Sequence, residues 1–399
     1  MGVGTGGQVT KPAAYILPVI IFAQFTGTSL WFAGNAVIND LQILWLLPES
    51  SLSYITSAVQ LGFISGTLIF AYLSIADRFS PRVVFLYCAI LGSVANILLL
   101  ISPQGLSWLL IARFVTGFFL AGIYPVGMKI AAGWYEKGLG RALGYLVGAL
   151  VLGTALPHLF KASGAEISWQ LVLAGTSFLA FIGGLLMYLL VPDGPYLSVA
   201  GKFNPRALLD IFKSRRFRAS AIGYFGHMWE LYTLWAFLPV WLISYAMQTG
   251  VSMNIPLWSF VVIAIGFFGC AVGGVVSARV GSARVATVQL AISGLCCILS
   301  AYVYTLNVMV FLGFMLIWGI SVIGDSPQFS TLNAQNAPKQ LVGSALTIVN
   351  SIGFLITVIS IQLVNLLLPF IDTQFIFWLL IPGPLLGLLA MQSMPPGKD

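Results

Sequence analysis

The sequence Leu73-Ser-Ile-Ala-Asp-Arg-Phe-Ser-Pro-Arg82 connects two long apolar stretches. The sequence Gly274-Val-Val-Ser-Ala-Arg-Val-Gly-Ser-Ala283 connects two others, at an offset of about 202 residues. At the same offset Pro125 falls on Pro327, and both prolines lie within apolar stretches. Several matches at one offset are typical of chains built from two similar halves. The repeat therefore predicts two structurally related halves.

Apolar residues fill nearly the whole chain, with 59% hydrophobic residues, 7% charged residues and a mean hydropathy of +0.98. Soluble domains carry about 25% charged residues. A helix of about 20 apolar residues crosses the bilayer, because it satisfies its own backbone hydrogen bonds where water is absent. The sequence therefore predicts an all-α membrane protein. We assign twelve transmembrane helices, at 14–38, 52–76, 82–102, 106–130, 139–160, 168–191, 217–246, 255–279, 284–305, 307–334, 340–366 and 371–392.

Lysine and arginine residues orient these helices. Of the 18, 16 lie on one side of the predicted bundle, Lys161 lies on the other and Arg113 lies within a span. Because cytoplasmic loops carry such an excess, we predict that both termini are cytoplasmic. The basic residues are loop ends close to lipid headgroups, so no nucleic-acid partner is expected.

The basic stretch 192–216 is predicted to be a cytoplasmic linker between two six-helix bundles, 1–191 and 217–399. The first apolar run is too long for the core of a cleaved signal peptide, so we expect it to remain as a membrane helix. We expect a functional monomer that crosses the plasma membrane, the inner membrane of a bacterium, many times.

The first connecting sequence resembles the loop G-x-x-x-D-R-x-G-R-K between helices 2 and 3 of the major facilitator superfamily, and the resemblance extends over the whole chain. Asp77, Arg78 and Arg82 stand at the Asp, Arg and final basic positions, and Arg279 matches Arg78 in the second copy. The resemblance implies that this loop controls closure of the cytoplasmic side, so these four residues are expected to act in gating. A solvated loop end is the alternative for Arg82. The chain departs from the pattern at Leu73, Ser80 and Pro81.

Four ionisable residues lie inside predicted spans: Arg113, His227, Glu230 and Asp325. A charged side chain at the bilayer centre costs about 2.5–3.5 kcal/mol on insertion scales, so its presence indicates a partner or a task. Arg113-Phe-Val-Thr-Gly117 is similar to the R-x-x-x-G signature of the superfamily's fourth helix, which implies a role in proton coupling or anion binding. His227 and Glu230 share a helix face and could exchange protons near neutral pH. We predict that these four residues carry the coupled protons.

Each of these residues also has a structural alternative. His227 could be a core histidine that bonds a neighbouring helix. Glu230 could pair with Arg113 only to orient the two halves. Asp325 could satisfy backbone groups that Pro327 leaves without partners.

The first span carries one polar stripe, because Gln24, Thr28, Trp31 and Asn35 follow each other at spacings of 4, 3 and 4 residues. A polar stripe within the membrane should face protein or water. The superfamily resemblance implies that helices 1, 4, 7 and 10 line a central cavity. The residues predicted to bind substrate are therefore Gln24, Thr28, Trp31, Asn35, Arg113, His227, Asp325 and Gln328.

The segment from Gly223 to Trp235 resembles the seventh helix of uptake porters grouped near the nitrate, nitrite and cyanate porters. These observations predict a secondary transporter that moves a small solute by alternating access with protons, and a small organic or inorganic anion is the first candidate for that solute. Proton-driven efflux of lipophilic drugs, uptake of metal ions and a membrane sensor are the alternatives. No enzyme is expected, since motifs such as His-Glu-x-x-His do not occur. All four cysteines lie in spans without a Cys-x-x-Cys spacing, so neither a bound metal nor a cofactor is expected.

Overall fold

A computed structural model of the protein describes residues 13–101, 105–135, 139–164, 167–197 and 211–394. Within these ranges the chain forms helices and no β-strand. The first part forms α1 (Ile16–Thr28), α2 (Ala33–Trp45), α3 (Ser51–Tyr72), α4 (Ile75–Arg78), α5 (Pro81–Ile97), α6 (Leu106–Leu120), α7 (Tyr124–Trp134), α8 (Leu139–Ala162) and α9 (Trp169–Leu190). The second part forms α10 (Arg215–Thr249), α11 (Ile255–Ala264), α12 (Gly266–Val280), α13 (Ser282–Val303), α14 (Val308–Gly324), α15 (Ser326–Asn336), α16 (Val342–Leu367) and α17 (Pro382–Gln392). Short 3₁₀ turns lie at Leu98–Leu100, Lys339–Leu341 and Thr373–Leu380.

Eleven helical segments of the described chain are long and apolar enough to cross a membrane. This confirms the all-helical membrane fold. The predicted span 217–246 corresponds to α10, which is 35 residues long but is not among the eleven. It carries His227, Glu230 and several Tyr and Trp residues, which lower its hydropathy. By length and hydropathy, the structure therefore supports eleven spans where the sequence predicted twelve.

Four of the predicted spans consist of two α-helices with a break between them. The breaks lie at residues 29–32 between α1 and α2, at residues 121–123 between α6 and α7, at Ile265 between α11 and α12, and at Asp325 between α14 and α15. Pro125 and Pro327 lie in the first turn of the helix that follows the break, where a missing N–H costs no helical hydrogen bond. Such breaks free backbone carbonyl groups at membrane depth, and these groups need partners.

Some predictions fall outside the described residues. Both chain ends, Lys137 and residues 198–210 of the linker are among them. The orientation of the termini and the structure of that linker therefore stay predictions.

The two parts of the chain meet where α3 packs on α16 and where α8 packs on α11 and α12. Within the first part, α3 and α6 touch through their backbones. A Cβ atom on Gly62 would lie 2.0 Å from the carbonyl oxygen of Phe114, so this contact requires glycine.

We call the end of the bundle with the connections 73–80 and 337–341 the basic end, and the opposite end, with the connections 46–50 and 250–254, the far end. At the far end, Gln362 of α16 donates to the hydroxyl of Ser57 on α3 at 2.7 Å. Asn254 donates to the carbonyl of Ala162 at 3.4 Å. These bonds join the two parts at the far end.

Candidate functional site

A cavity of about 450 Å³ lies between the two parts of the chain. Its wall is mainly aromatic and aliphatic and comes from α7, α8, α10, α15 and α16. The exposed residues Gly140 and Gln335 belong to this wall, so the cavity opens at the basic end. Cavities of about 300–1,000 Å³ are typical of sites for small organic ligands. Among its lining side chains are Tyr124, Met128, Lys129, Tyr224, Met228, Tyr232, Asn350 and Phe354.

An aromatic cluster closes the inner end of this cavity. The ring of Trp31 stacks on Tyr232 at 5.7 Å and on Phe354 at 5.5 Å, measured between ring centroids. Phe63 packs against Phe354 at 4.5 Å. Trp31 is fully buried although its indole N–H has no hydrogen-bond partner within the described chain. Because Trp31 and Phe63 come from the first part and Tyr232 and Phe354 from the second, this aromatic cluster depends on both parts being together.

The predicted gating residues lie at the basic end. Asp77 forms an ion pair with Lys129, whose ammonium group also donates to the carbonyl of Ala76 at 2.7 Å. Arg82 lies 5.5 Å from the ring centroid of Tyr188 and donates to its carbonyl at 3.4 Å. Arg78 and Arg279 are exposed. Lys129 also lines the cavity, so one side chain links the loop to the cavity mouth.

His227, Glu230 and Asp325 come together between α10, α13 and α14, and we call them the buried acidic cluster. Nδ1 of His227 lies 2.7 Å from Oδ1 of Asp325. Glu230 accepts hydrogen bonds from the indole N–H of Trp318, at 2.7 Å, and from the hydroxyl of Ser293. All three members are at most 1% exposed. These three of the predicted ionisable residues therefore lie close together in the structure.

The buried acidic cluster lies behind the cavity wall rather than on it. The residues of α10 that line the cavity include Tyr224, Met228 and Tyr232, and none of the three cluster members does so. Nε2 of His227 and Oδ2 of Asp325 have no hydrogen bond of regular geometry within the described residues. Two carboxyl groups and one imidazole without a permanent cation can be stabilised by a bound proton. The arrangement can therefore hold and release protons.

Arg113 lies away from this cluster, in the first part of the chain. Its guanidinium donates to the carbonyls of Leu30, at 2.9 Å, and Trp31, and to the amide oxygen of Asn96 at 3.1 Å. It is fully buried and does not line the central cavity. These contacts satisfy the carbonyls that the break between α1 and α2 leaves free. The alternative pairing of Arg113 with Glu230 is not formed.

The polar stripe of the first span also serves contacts inside the first part. Gln24 donates to the carbonyl of Tyr124 at 3.5 Å, and Thr28 donates to the carbonyl of Gln24 at 2.8 Å. Asn35 donates to the hydroxyl of Thr56 at 2.7 Å. Gln328 is buried. None of these predicted substrate-binding residues belongs to the described lining of the central cavity.

Sequence reasoning missed most of the cavity wall. Tyr224, Met228, Tyr232 and Phe354 look like ordinary apolar residues of membrane helices. Lys129 could have been identified from the sequence, because it is a charged residue at the end of a predicted span. Its partner, Asp77, belongs to the gating loop. No group of three or more His, Cys, Asp or Glu residues in the described ranges could hold a metal ion.

A family profile described as Major Facilitator Superfamily matches residues 16–361, which include the cavity wall, the gating loop and the buried acidic cluster. The chain belongs to the major facilitator superfamily. Its helical fold and its interrupted spans are thus those of a member of this superfamily.

Two curated relatives are similar in sequence to this superfamily member. Human solute carrier family 22 member 2 is 26% identical over 188 residues, which cover 44% of this chain and 30% of that protein. The niacin transporter NiaP of Acinetobacter baylyi is 30% identical over 137 residues, which cover 32% of this chain and 30% of that protein. The chain therefore matches less than a third of the length of either relative.

Solved structures are similar over nearly the whole chain. The human organic anion transporter MFSD10 (TETRAN) has a TM-score of 0.72 at 14% identity and covers 97% of this chain and 100% of its own. The nucleoside transporter NupG has a TM-score of 0.72 at 14% identity and covers 95% of this chain and 99% of its own. At such identities the likeness establishes the fold alone. The predicted resemblance to nitrate, nitrite and cyanate porters is not supported by these comparisons.

Proposed function

We propose that this chain is a secondary transporter that imports a small organic anion together with protons by alternating access. The central cavity carries the proposal, because it lies between the two parts, opens at one end and is closed at the other. In this proposal α10 is the twelfth transmembrane helix, the bundles 1–191 and 217–399 are the moving units and the basic end is cytoplasmic. The protein acts as a monomer in the inner membrane of a bacterium and is not an enzyme.

The cavity wall supports an organic rather than an inorganic cargo. Aromatic rings and methionine side chains bury apolar surface and offer little to a small hydrated ion such as nitrate. Lys129 is the charged residue of the described wall, and its ammonium group, which pairs with Asp77, is the cation that a carboxylate can contact at the mouth. A planar ring with one carboxylate fits this combination. The names of the similar proteins, a niacin transporter and an organic anion transporter, agree with that class.

The buried acidic cluster supports proton coupling. Helix α10 presents Tyr232 to the cavity and Glu230 to the cluster, so both sites share one rigid element. Adding or removing a proton changes the charge between α10 and α14, and burying an unpaired charge is costly. Protonation can therefore bias how α10 packs, and this moves the wall of the cavity. Carboxylates at membrane depth commonly carry protons in transporters.

The difference between the open basic end and the closed far end supports alternating access. With the basic end in the cytoplasm, the structure is open to the inside, and the aromatic cluster and the bond from Gln362 to Ser57 close the far end. Outward opening has to separate Trp31 from Tyr232 and Phe354. The break before α2 places Trp31 outside regular helix, where it can move with little cost to the helices on either side.

Proton-driven efflux of lipophilic compounds is a second candidate, and the largely apolar wall of the cavity favours it. Such cargo would need no cation at Lys129. Lipophilic cations, rather than organic acids, would then stabilise the purified protein.

Binding of nicotinate and nicotinamide distinguishes the two candidates, because these probes differ chiefly in charge. A ligand that binds the folded state raises its melting temperature. We expect nicotinate to stabilise the protein more than nicotinamide, and Lys129→Met to remove the difference. Lys161→Met is the matched control, since it breaks a similar ion pair, with Asp40 at 2.6 Å, outside the central cavity. Equal responses to both probes would contradict an anion site.

A further inference from the structure

A second cavity of about 120 Å³ lies between the two parts at the far end, and we call it the far-end cavity. The first part contributes Asn35, Asp40, His158 and Lys161 to its wall. The second part contributes several apolar residues and Ser259. His158 is 3% exposed and Ser259 is fully buried, so both side chains are shielded from solvent while the far end is closed.

Two buried polar atoms of this wall have no hydrogen-bond partner in the described chain, Oδ1 of Asn35 and Nε2 of His158. The orientation of the Asn35 amide is fixed by its neighbours. Its NH₂ donates to Thr56, whose own hydroxyl donates to the carbonyl of Leu52 at 2.7 Å. Oδ1 is therefore an acceptor without a donor. Leaving a buried polar group unpaired is unfavourable, so a ligand that supplies the missing donor is favoured.

We propose that the far-end cavity is a second site, which takes up the transported proton together with the water that carries it, and that Nε2 of His158 is the atom that receives it. The inference rests on the proposed proton coupling. In this step the lone pair of the neutral imidazole forms an N–H bond with a proton of hydronium. The O–H bond of hydronium breaks and a water molecule remains. The new N–H is the donor that Oδ1 of Asn35 lacks, directly or through that water.

The volume and charges of the far-end cavity suit this ligand. Water takes about 30 Å³ per molecule in the liquid, so the cavity holds only a few. The charged residues of the described wall are Asp40 and Lys161, which pair with each other at 2.6 Å, and the wall residues from the second part include no titratable side chain. His158 thus has no carboxylate of its own and remains the titratable side chain of the described wall that has no ion-pair partner.

Protonation of His158 would also act on the closed far end. His158 and Lys161 lie three residues apart on α8, so a protonated His158 adds a second positive charge on the same helix face. A further charge on a side chain as buried as His158 is unfavourable until water reaches it. Proton uptake therefore favours separation of the two parts at this end.

The test is the rate at which a water-soluble maleimide labels Ser259→Cys in the purified full-length protein between pH 8 and pH 5.5. Thr305→Cys, which is exposed at the same end, corrects for the pH dependence of thiol reactivity. The parent chain gives the background, since its four cysteines are buried. We expect the corrected rate to rise at least about five-fold on acidification over this range. His158→Gln should remove this rise.

Two further variants keep the test decisive. Asp40→Asn should leave the rise in place, because in this proposal the proton binds to His158. Asn35→Leu should shift the rise to lower pH, because the protonated imidazole loses its acceptor. A rise that persists in His158→Gln, or a corrected rate that does not depend on pH, would overturn the proposal. Labelling needs neither substrate nor gradient, so a failure to bind nicotinate would reject the proposed cargo without affecting this result.

Discussion

Nδ1 of His227 lies 2.7 Å from Oδ1 of Asp325, and this buried contact joins α10 to the break between α14 and α15. Both residues are almost completely shielded from solvent. The contact connects a helix of the cavity wall to the point where another wall helix is interrupted. The proposed coupling between protons and cargo depends on it.

Asp325→Asn is expected to destabilise the protein by about 3 kcal/mol, because removing one partner of a buried pair leaves the other uncompensated. His227→Gln should have a similar effect, and the double variant should lose less than the sum of the two. Melting of the purified proteins measures this, with the exposed Asp372→Asn as the control. Strictly additive losses would show that the two side chains do not interact.

Glu230→Gln is expected to abolish proton-driven accumulation of the cargo and to retain exchange of cargo across the membrane. Gln preserves the shape of the side chain and can still accept the hydrogen bond from Trp318, but it cannot carry the proton. Uptake and counterflow in proteoliposomes measure the two activities. Glu49→Gln, at an exposed position, should change neither. Undiminished accumulation in Glu230→Gln would remove Glu230 from the coupling mechanism.

Arg113→Lys is expected to lower stability by about 2 kcal/mol and to leave the preference for nicotinate over nicotinamide intact. Lysine keeps the charge but loses the planar fork that holds the carbonyls of Leu30 and Trp31. Arg218→Lys is the matched control, because Arg218 also donates to a carbonyl, that of Phe212, but is exposed. If the preference disappears while stability is unchanged, Arg113 is an anion ligand, as its sequence motif implied.

Trp31→Ala is expected to open the far end, because it removes the ring that stacks on Tyr232 and Phe354. Labelling of Ser259→Cys at pH 8 should rise several-fold, whereas Trp31→Phe should keep most of the closure. Trp378→Ala, at a partly exposed position, controls for the loss of a tryptophan. Unchanged labelling in Trp31→Ala would mean that the aromatic cluster does not close the far end.

Hydropathy predicted most of the fold, since each apolar stretch is long enough to form a helix that must cross the membrane. It could not locate the breaks at residues 29–32 and 121–123. These breaks depend on contacts from other helices, such as the guanidinium of Arg113 on the carbonyls of Leu30 and Trp31. The spacing of His227 and Glu230 predicted a shared helix face, and in the structure both residues belong to the buried acidic cluster with Asp325.

The rotation of each helix about its own axis could not be predicted from sequence. On α10 the cavity face, with Met228 and Tyr232, is apolar, and the polar face turns into the second part of the chain. A rule that turns polar faces toward the substrate therefore selects the side of this helix that faces away from the central cavity. The same rule placed Gln24 and Arg113 in the cavity, although both satisfy backbone carbonyls inside the first part.

Uptake of radiolabelled nicotinate into proteoliposomes, with an inward proton gradient and with the gradient collapsed, tests the central claim most directly. The proposed function predicts that nicotinate accumulates above equilibrium only with the gradient, that Tyr232→Ala abolishes uptake at the cavity, and that unlabelled nicotinamide competes poorly. Absence of accumulation, together with gradient-driven transport of lipophilic cations in the same vesicles, would contradict import of an organic anion.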